Sequence, residues 1–156
     1  MLKGIDPLLS PDLLKVLAEM GHGDEIVIAD ANFTAASLAV EPSGRLKPLL
    51  HAPGTDVEGM ARAILSLFPL DAHVDQPVAF MHVSGKPEGF LSAQQRRVID
   101  MIAAGGHADA VQCEAVERFA FYDRVRKAYA IVLTGELQPY GNFILKKGVI
   151  SESLVE

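Results

Sequence analysis

Residues 21–33 read GHGDEIVIADANF and set a histidine, an acidic pair, an apolar run and a second aspartate within thirteen positions. Burial of the apolar run asks nothing of its ends, so His22 and Asp30 are open to another use. Histidine is the side chain suited to moving protons near neutral pH, and an aspartate can orient it or hold a substrate hydroxyl. If EIVIA is a buried strand, Asp30 falls just past its C-terminal end, where open α/β sheets bind ligands. Five strand residues at about 3.3 Å each would hold the two ends about 17 Å apart, so a straight chain keeps His22 and Asp30 from meeting. Gly21 and Gly23 flank the histidine and open backbone angles closed to other residues. The loop can therefore fold back over the sheet or reach a neighbouring subunit, and spacing does not choose between them. The plainer reading makes His22 a turn or surface residue and Asp30 a turn former or helix cap.

The stretch LQPYGNFILKKG, residues 137–148, raises a similar choice. Pro139, Gly141 and Asn142 are turn residues, and by themselves they favour a hairpin between YAIVLTG and FILKK. The same tip would present the phenol of Tyr140 and the carboxamide of Asn142, both suited to sugar hydroxyls. Arg118, in VERFAFYDR, reads either as a solvated charge at a helix start or as a fixed donor, and Tyr122 is equally suited to packing. His51, His73, His82 and His107 show no HExxH spacing or cysteine pairing, and a zinc site drawn from His22, Asp24 and Cys113 has little support. No GxGxxG, GxxxxGK[ST] or GxSxG stretch is present, so nucleotide binding and serine hydrolysis lack their usual signatures.

The chain has 156 residues, 49% apolar and 22% charged, which suits one domain with a real core. Its formal charge is −6 with lysines and arginines scattered, so no basic stripe exists to neutralise a phosphate backbone, and nucleic acid is not an expected partner. The apolar runs fall far short of the roughly 20 residues that span a bilayer, which gives no reason to expect a membrane. One cysteine cannot form an internal disulfide, and MLKGIDPLL lacks a signal-peptide apolar stretch, so a reducing cytoplasm is the expected compartment. Positive mean hydropathy with only 6% aromatic residues favours contacts between subunits.

Four helices are expected to position these groups. Ser10–Pro11 is a helix start, with Leu13, Leu17 and Met20 on one face, Leu14 widening it, and a stop at Gly21. Thr55 with Glu58 reads as a capping box ahead of Val57, Met60, Ala61, Ile64, Leu65 and Phe68, a pattern that Pro69 closes. Ser92 with Gln95 reads as a second box, opening a helix that runs to Gly105–Gly106. A fourth helix covers Phe121–Lys127. Strand-length β-rich runs lie at 25–29, 77–83, 110–116, 129–135 and 143–147, several apolar on consecutive residues as in central strands covered on both faces. The expected architecture is α/β, a single domain with helices flanking a mixed sheet.

Three segments, LLSPDLLKVLAEMGHGDEIVIADANF, RFAFYDR and TGELQPYGNFILKKGV, resemble the L-fucose mutarotase and D-ribose pyranase family. The likeness runs nearly end to end and leans to the fucose branch, because an arginine precedes FAFY where ribose pyranases tend to carry histidine. It implies an α/β subunit in a ring-shaped homo-oligomer, usually a decamer of two stacked pentamers, with a monosaccharide site at each subunit boundary and no metal or other cofactor. Carried over by position, His22 falls on the proton donor, Asp30 on a substrate-contacting aspartate, Arg118 on a substrate-binding position, and Tyr140, Gly141 and Asn142 on the sugar-binding turn. A neighbour supplying part of the pocket would also remove the distance problem along EIVIA.

The implied reaction opens a hemiacetal, rotates the aldehyde carbon and closes the ring from the other face. A proton leaves the anomeric hydroxyl while another reaches the ring oxygen; His22 is the expected acid, and Tyr140, Asp30 or bound water the base. Sugar rings already open in water, so acid–base help of roughly 10²–10⁴-fold plus orientation suffices. A non-catalytic monosaccharide-binding protein of an uptake system is the alternative. The fucose branch often shows DAHFPAHS where this chain has DANFTAAS, so Asn32, Thr34 and Ala36 leave the preferred sugar open.

Overall fold

The computed structural model describes residues 1–152, 154 and 155. Helix α1 (Pro11–Glu19) begins where the serine–proline pair places it. Ser10 Oγ accepts from the Leu13 amide at 3.2 Å, and the helix buries Leu13, Val16 and Leu17. Strand β1 (Glu25–Ala29) follows with its last four residues fully enclosed. A short helix, α2 (Ala35–Leu38), and an edge strand, β2 (Leu49–Ala52), come next, and neither carries a signal strong enough to read in advance.

Helix α3 (Val57–Leu65) corrects the first expected capping box. Its N-cap is Asp56, whose Oδ1 accepts from the Gly59 amide at 2.7 Å, while Glu58 turns outward to Arg62 at 2.6 Å. A carboxylate both accepts the bond and complements the positive helix end, so it displaces the threonine one residue upstream. The helix also ends before Pro69, its last turn closing through the Leu67 and Phe68 amides onto the Ile64 carbonyl. Strand β3 (Val78–Met81) leads to α4 (Ala93–Ala104), where the Ser92–Gln95 box forms in both directions. Residues 110–116 divide into a 3-10 turn at Ala110–Gln112 and strand β4 (Cys113–Val116). Helix α5 (Arg118–Lys127) starts three residues earlier than its apolar pattern suggests, because Glu117 Oε2 accepts from both the Phe119 and Ala120 amides. Strands β5 (Ala130–Thr134) and β6 (Phe143–Lys146) complete the regular structure of the described residues.

The six strands lie in the order β2-β5-β1-β6-β3-β4. Pairs β1–β5, β2–β5 and β3–β4 are parallel, and β6 runs antiparallel to both β1 and β3. The hairpin expected between β5 and β6 does not form: β1 lies between them, taking Ile144 opposite Val27 and Val132 opposite Ile28. Residues 135–142 are long enough to carry β6 past β1, where its buried residues pair on both sides. Alternate β1 residues feed two cores. Ile26 and Ile28 pack with α1, α3 and α4, whereas Val27 and Ala29 pack with α2 and α5. This is a single-domain α/β fold of three layers with a mixed sheet, and no described helix is long and apolar enough to cross a membrane.

Candidate functional site

The insertion of β6 against β1 creates the site. Because the two strands are antiparallel, the C-terminal end of β1 lies beside the N-terminal start of β6, with Ile28 opposite Phe143. Asp30 and Asn142, 112 positions apart, therefore become neighbours. Asn142 Oδ1 accepts from the Asp30 amide at 2.8 Å, and Asn142 Nδ2 donates to Asp30 Oδ2 at 3.0 Å. The other carboxylate oxygen accepts from the Asn32 amide at 3.0 Å. Both side chains are buried, at 5% and 2% exposure. Burial pushes the Asp30 carboxyl above its ordinary range, against the pull of the bonds from Asn32 and Asn142.

Around this pair opens a cleft of about 230 Å³, also lined by Asn32, Phe33, Met81, Arg118, Tyr122, Pro139 and Tyr140. Met81 ends β3, the strand on the other side of β6, so two strand ends and one strand start meet here. Arg118 stands in the first turn of α5, and its Nε donates to the Tyr122 hydroxyl at 3.0 Å. That contact holds the guanidinium above its already high pKa. Tyr122 packs edge-on against Phe33, ring centroids 5.7 Å apart. Gly141 sits in close quarters: a Cβ there would lie 3.0 Å from the Gln138 carbonyl oxygen and 3.1 Å from Gln94 Nε2, so its neighbours would have to give way slightly. Asp30, Arg118, Tyr140, Gly141 and Asn142 are thus brought together, with carboxylate, guanidinium, phenol and carboxamide around a space of monosaccharide size.

His22 is not among them. It sits at the opposite end of β1, where the Gly23 amide bonds the Lys147 carbonyl beyond β6. Its carboxylate neighbour is Asp71, with His22 Nε2 to Asp71 Oδ1 at 3.1 Å. The side chain of His22 is 47% exposed and that of Asp71 only 4%. The His73 amide donates to the same Oδ1 at 3.0 Å, and this bond, with the adjoining histidines, holds the Asp71 carboxyl below its ordinary value. Asp71 is fixed in turn by its amide, which donates to the Lys146 carbonyl at 3.0 Å, and by Gly148, where a Cβ would stand 2.5 Å from the Leu70 carbonyl oxygen. Sequence reading missed Asp71 and left Tyr122 undecided. The sequence marks Asp71 only faintly, as an acidic residue in FPLDAHV, where all but it and His73 are apolar.

Elsewhere, a wider cleft of about 650 Å³ beside β4 is lined in part by His82, Glu88, Glu114, Glu117 and Cys113. Burial there pushes the Cys113 thiol up to about 11, which leaves it a poor nucleophile. His82 is engaged with the Lys86 carbonyl. Among the described residues no three His, Cys, Asp or Glu side chains gather so as to hold a metal ion.

A mixed α/β sheet carrying a polar, sugar-sized cleft at its strand ends defines the class. The chain belongs to the RbsD / FucU transport protein family, whose model matches residues 3–150. It is 48% identical over 149 residues to the L-fucose mutarotase of Glaesserella parasuis serovar 5 (strain SH0165), covering 96% of each chain. The fucose mutarotase of Streptococcus pneumoniae, solved in complex with L-fucose, superposes with a TM-score of 0.82 at 42% identity, over 96% of this chain and 100% of that one. Bacillus subtilis RbsD, solved with D-ribose, gives 0.69 at 25% identity, over 97% and 100%. The likeness is stronger to the fucose enzyme than to the ribose protein.

Proposed function

We propose that this protein is a monosaccharide mutarotase that interconverts the anomers of L-fucose or a related sugar. The observation that carries the reading is the buried, reciprocally bonded Asp30–Asn142 pair facing a small cleft, in a chain nearly half identical to a named L-fucose mutarotase. Arg118, Tyr140 and Asn142 hold sugar hydroxyls. Asp30, whose burial raises its affinity for a proton, takes the proton of the anomeric hydroxyl. A histidine gives a proton to the ring oxygen, the C–O bond of the ring opens to an aldehyde, and rotation followed by closure reverses the configuration.

His22 supplies that proton from a neighbouring copy. Its separation from Asp30 along β1 supports this, as does its exposure, since a proton donor facing solvent in one chain is available to the cleft of the next. Asp71 can only accept in its ionised form, so it keeps hydrogen on Nε2 and leaves Nδ1 for exchange with the sugar. The assembly is a closed ring, a decamer of two stacked pentamers, working without metal in the cytoplasm.

Saturation-difference NMR on the anomeric protons of added sugar tests the reaction. Exchange should rise with wild-type protein and fall to the solvent rate with His22→Ala. Solvent-rate exchange across fucose, ribose, galactose and rhamnose would reject the proposal. The family description speaks of transport, which favours a second reading: a sugar-binding protein with affinity and no rate enhancement.

A further inference from the structure

The turn that carries Tyr140 is held from behind by the first turn of α4. Tyr140 has φ 63°, the one positive value at a non-glycine position among the described residues. A bulky aromatic residue in the left-handed region is strained and persists only where its surroundings enforce it. The enforcing contact comes from Gln95, whose Nε2 donates to the Tyr140 carbonyl at 3.1 Å and to the Met81 carbonyl at 2.7 Å. Met81 and Tyr140 both line the cleft, so one fully buried carboxamide fastens two of its walls. That carboxamide cannot swing away. Its Oε1 accepts from the Ser92 amide at 3.0 Å while the Gln95 amide donates to Ser92 Oγ at 3.1 Å, so the helix cap locks its direction. Gln94, equally buried, fills the space that a side chain at Gly141 would need.

We infer that Gln95 is a positioning residue of the sugar site: by bridging the Met81 and Tyr140 carbonyls it holds the 138–142 turn in its strained, binding-competent shape without touching the sugar. The inference builds on the mutarotase reading. It separates the role of α4 into two parts, a cap shared with Ser92 and a clamp that belongs to Nε2 alone.

Gln95→Met keeps length and approximate volume while removing both donors. In anomer-exchange kinetics it should raise KM about tenfold or more with kcat within about threefold of wild type, because binding geometry is lost and the proton-transfer groups remain. Amide hydrogen exchange of the 138–142 segment, read by mass spectrometry, should quicken about tenfold or more. Ser92→Ala removes only the Oγ half of the cap and keeps the Ser92 amide on Gln95 Oε1 and both Nε2 bonds, so it should lower Tm with KM and segment protection unchanged. Gln95→Glu keeps the cap acceptor; its affinity relative to wild type should fall at pH 8 and recover toward pH 5, as protonation returns one donor. Wild-type KM and protection in Gln95→Met, or an equal rise of KM in Ser92→Ala, would overturn the inference. Were Gln95→Met not to fold, the pH course of Gln95→Glu decides, a flat ratio counting against the clamp. If wild-type protein shows no exchange enhancement with any sugar, the mutarotase reading fails, while segment protection still tests the clamp.

Discussion

The two ends of β1 are built on different principles. At the C-terminal end, Asp30 is locked by three hydrogen bonds and nearly sealed, its partner Asn142 delivered by a strand 112 residues away. At the N-terminal end, His22 stands in a glycine-flanked loop, half exposed, touching one buried carboxylate. The first end is rigid and shaped, as recognition of a small polar ligand needs. The second is accessible, as the proposed meeting with a neighbouring copy would require. On the proposed reading, one strand would carry a receptor at one end and a proton carrier at the other, each completed by a neighbouring copy.

The comparison breaks most sharply with His22→Ala. Anomer exchange should fall by roughly 10²–10⁴-fold while sugar affinity, read by titration, stays within a few-fold of wild type. Equal loss of both would mean that His22 belongs to the receptor. Mixing His22→Ala with Asp30→Asn protein, under conditions that let subunits exchange, should restore part of the activity if the two ends meet between copies; no recovery from verified mixed oligomers argues against a shared site.

Asn142→Ala tests the receptor end. It removes the acceptor of the Asp30 amide and a donor to its carboxylate, so calorimetry or denaturant titration should show about 1–3 kcal/mol lost, and sugar affinity should drop with it. Gly148→Ala probes the carrier end instead. Its Cβ would press the Leu70–Asp71 backbone away from Lys147, and the expected result is slower exchange with near-normal sugar affinity.

The smallest effect concerns pH. The folded-state pKa of Asp71 is depressed from the ordinary 3.8, so its contribution to stability is present above that value and is lost as pH falls through the lower, folded value. Asp71→Asn should therefore flatten the acid side of the Tm profile, and it should also slow exchange by disturbing the direction of the His22 ring. An acid limb identical to wild type would assign that loss of stability to other carboxylates.

The fold was largely legible because most of its elements are written locally. The serine–proline start of α1, the Ser92–Gln95 box of α4 and the Ile26–Val27–Ile28 run of β1 each name an element within a few residues. What misled was competition between nearby signals. Thr55 and Asp56 both fit an N-cap and charge decided for the aspartate, while Pro139, Gly141 and Asn142 fit a hairpin that the sheet order forbids. Helix α2 and strand β2 are four residues each, too short for a period to emerge. In the candidate site, Asp30, Arg118, Tyr140, Gly141 and Asn142 could be named from residue type and from likeness to a known family. Asp71 and Gln95 could not, because an acidic turn residue and a helix-cap glutamine look ordinary until something is placed beside them.

The sequence by itself determined the chemical types available, the α/β class and the segments in which polarity sits at the ends of apolar runs, since propensity, capping and burial act over a few residues. Only the tertiary structure decided that β1 would separate β5 from β6. The insertion of β6 beside β1 joins Asp30 to Asn142, because contacts across a sheet depend on which strands become neighbours, a choice made by the packing of the whole core and not by any one segment.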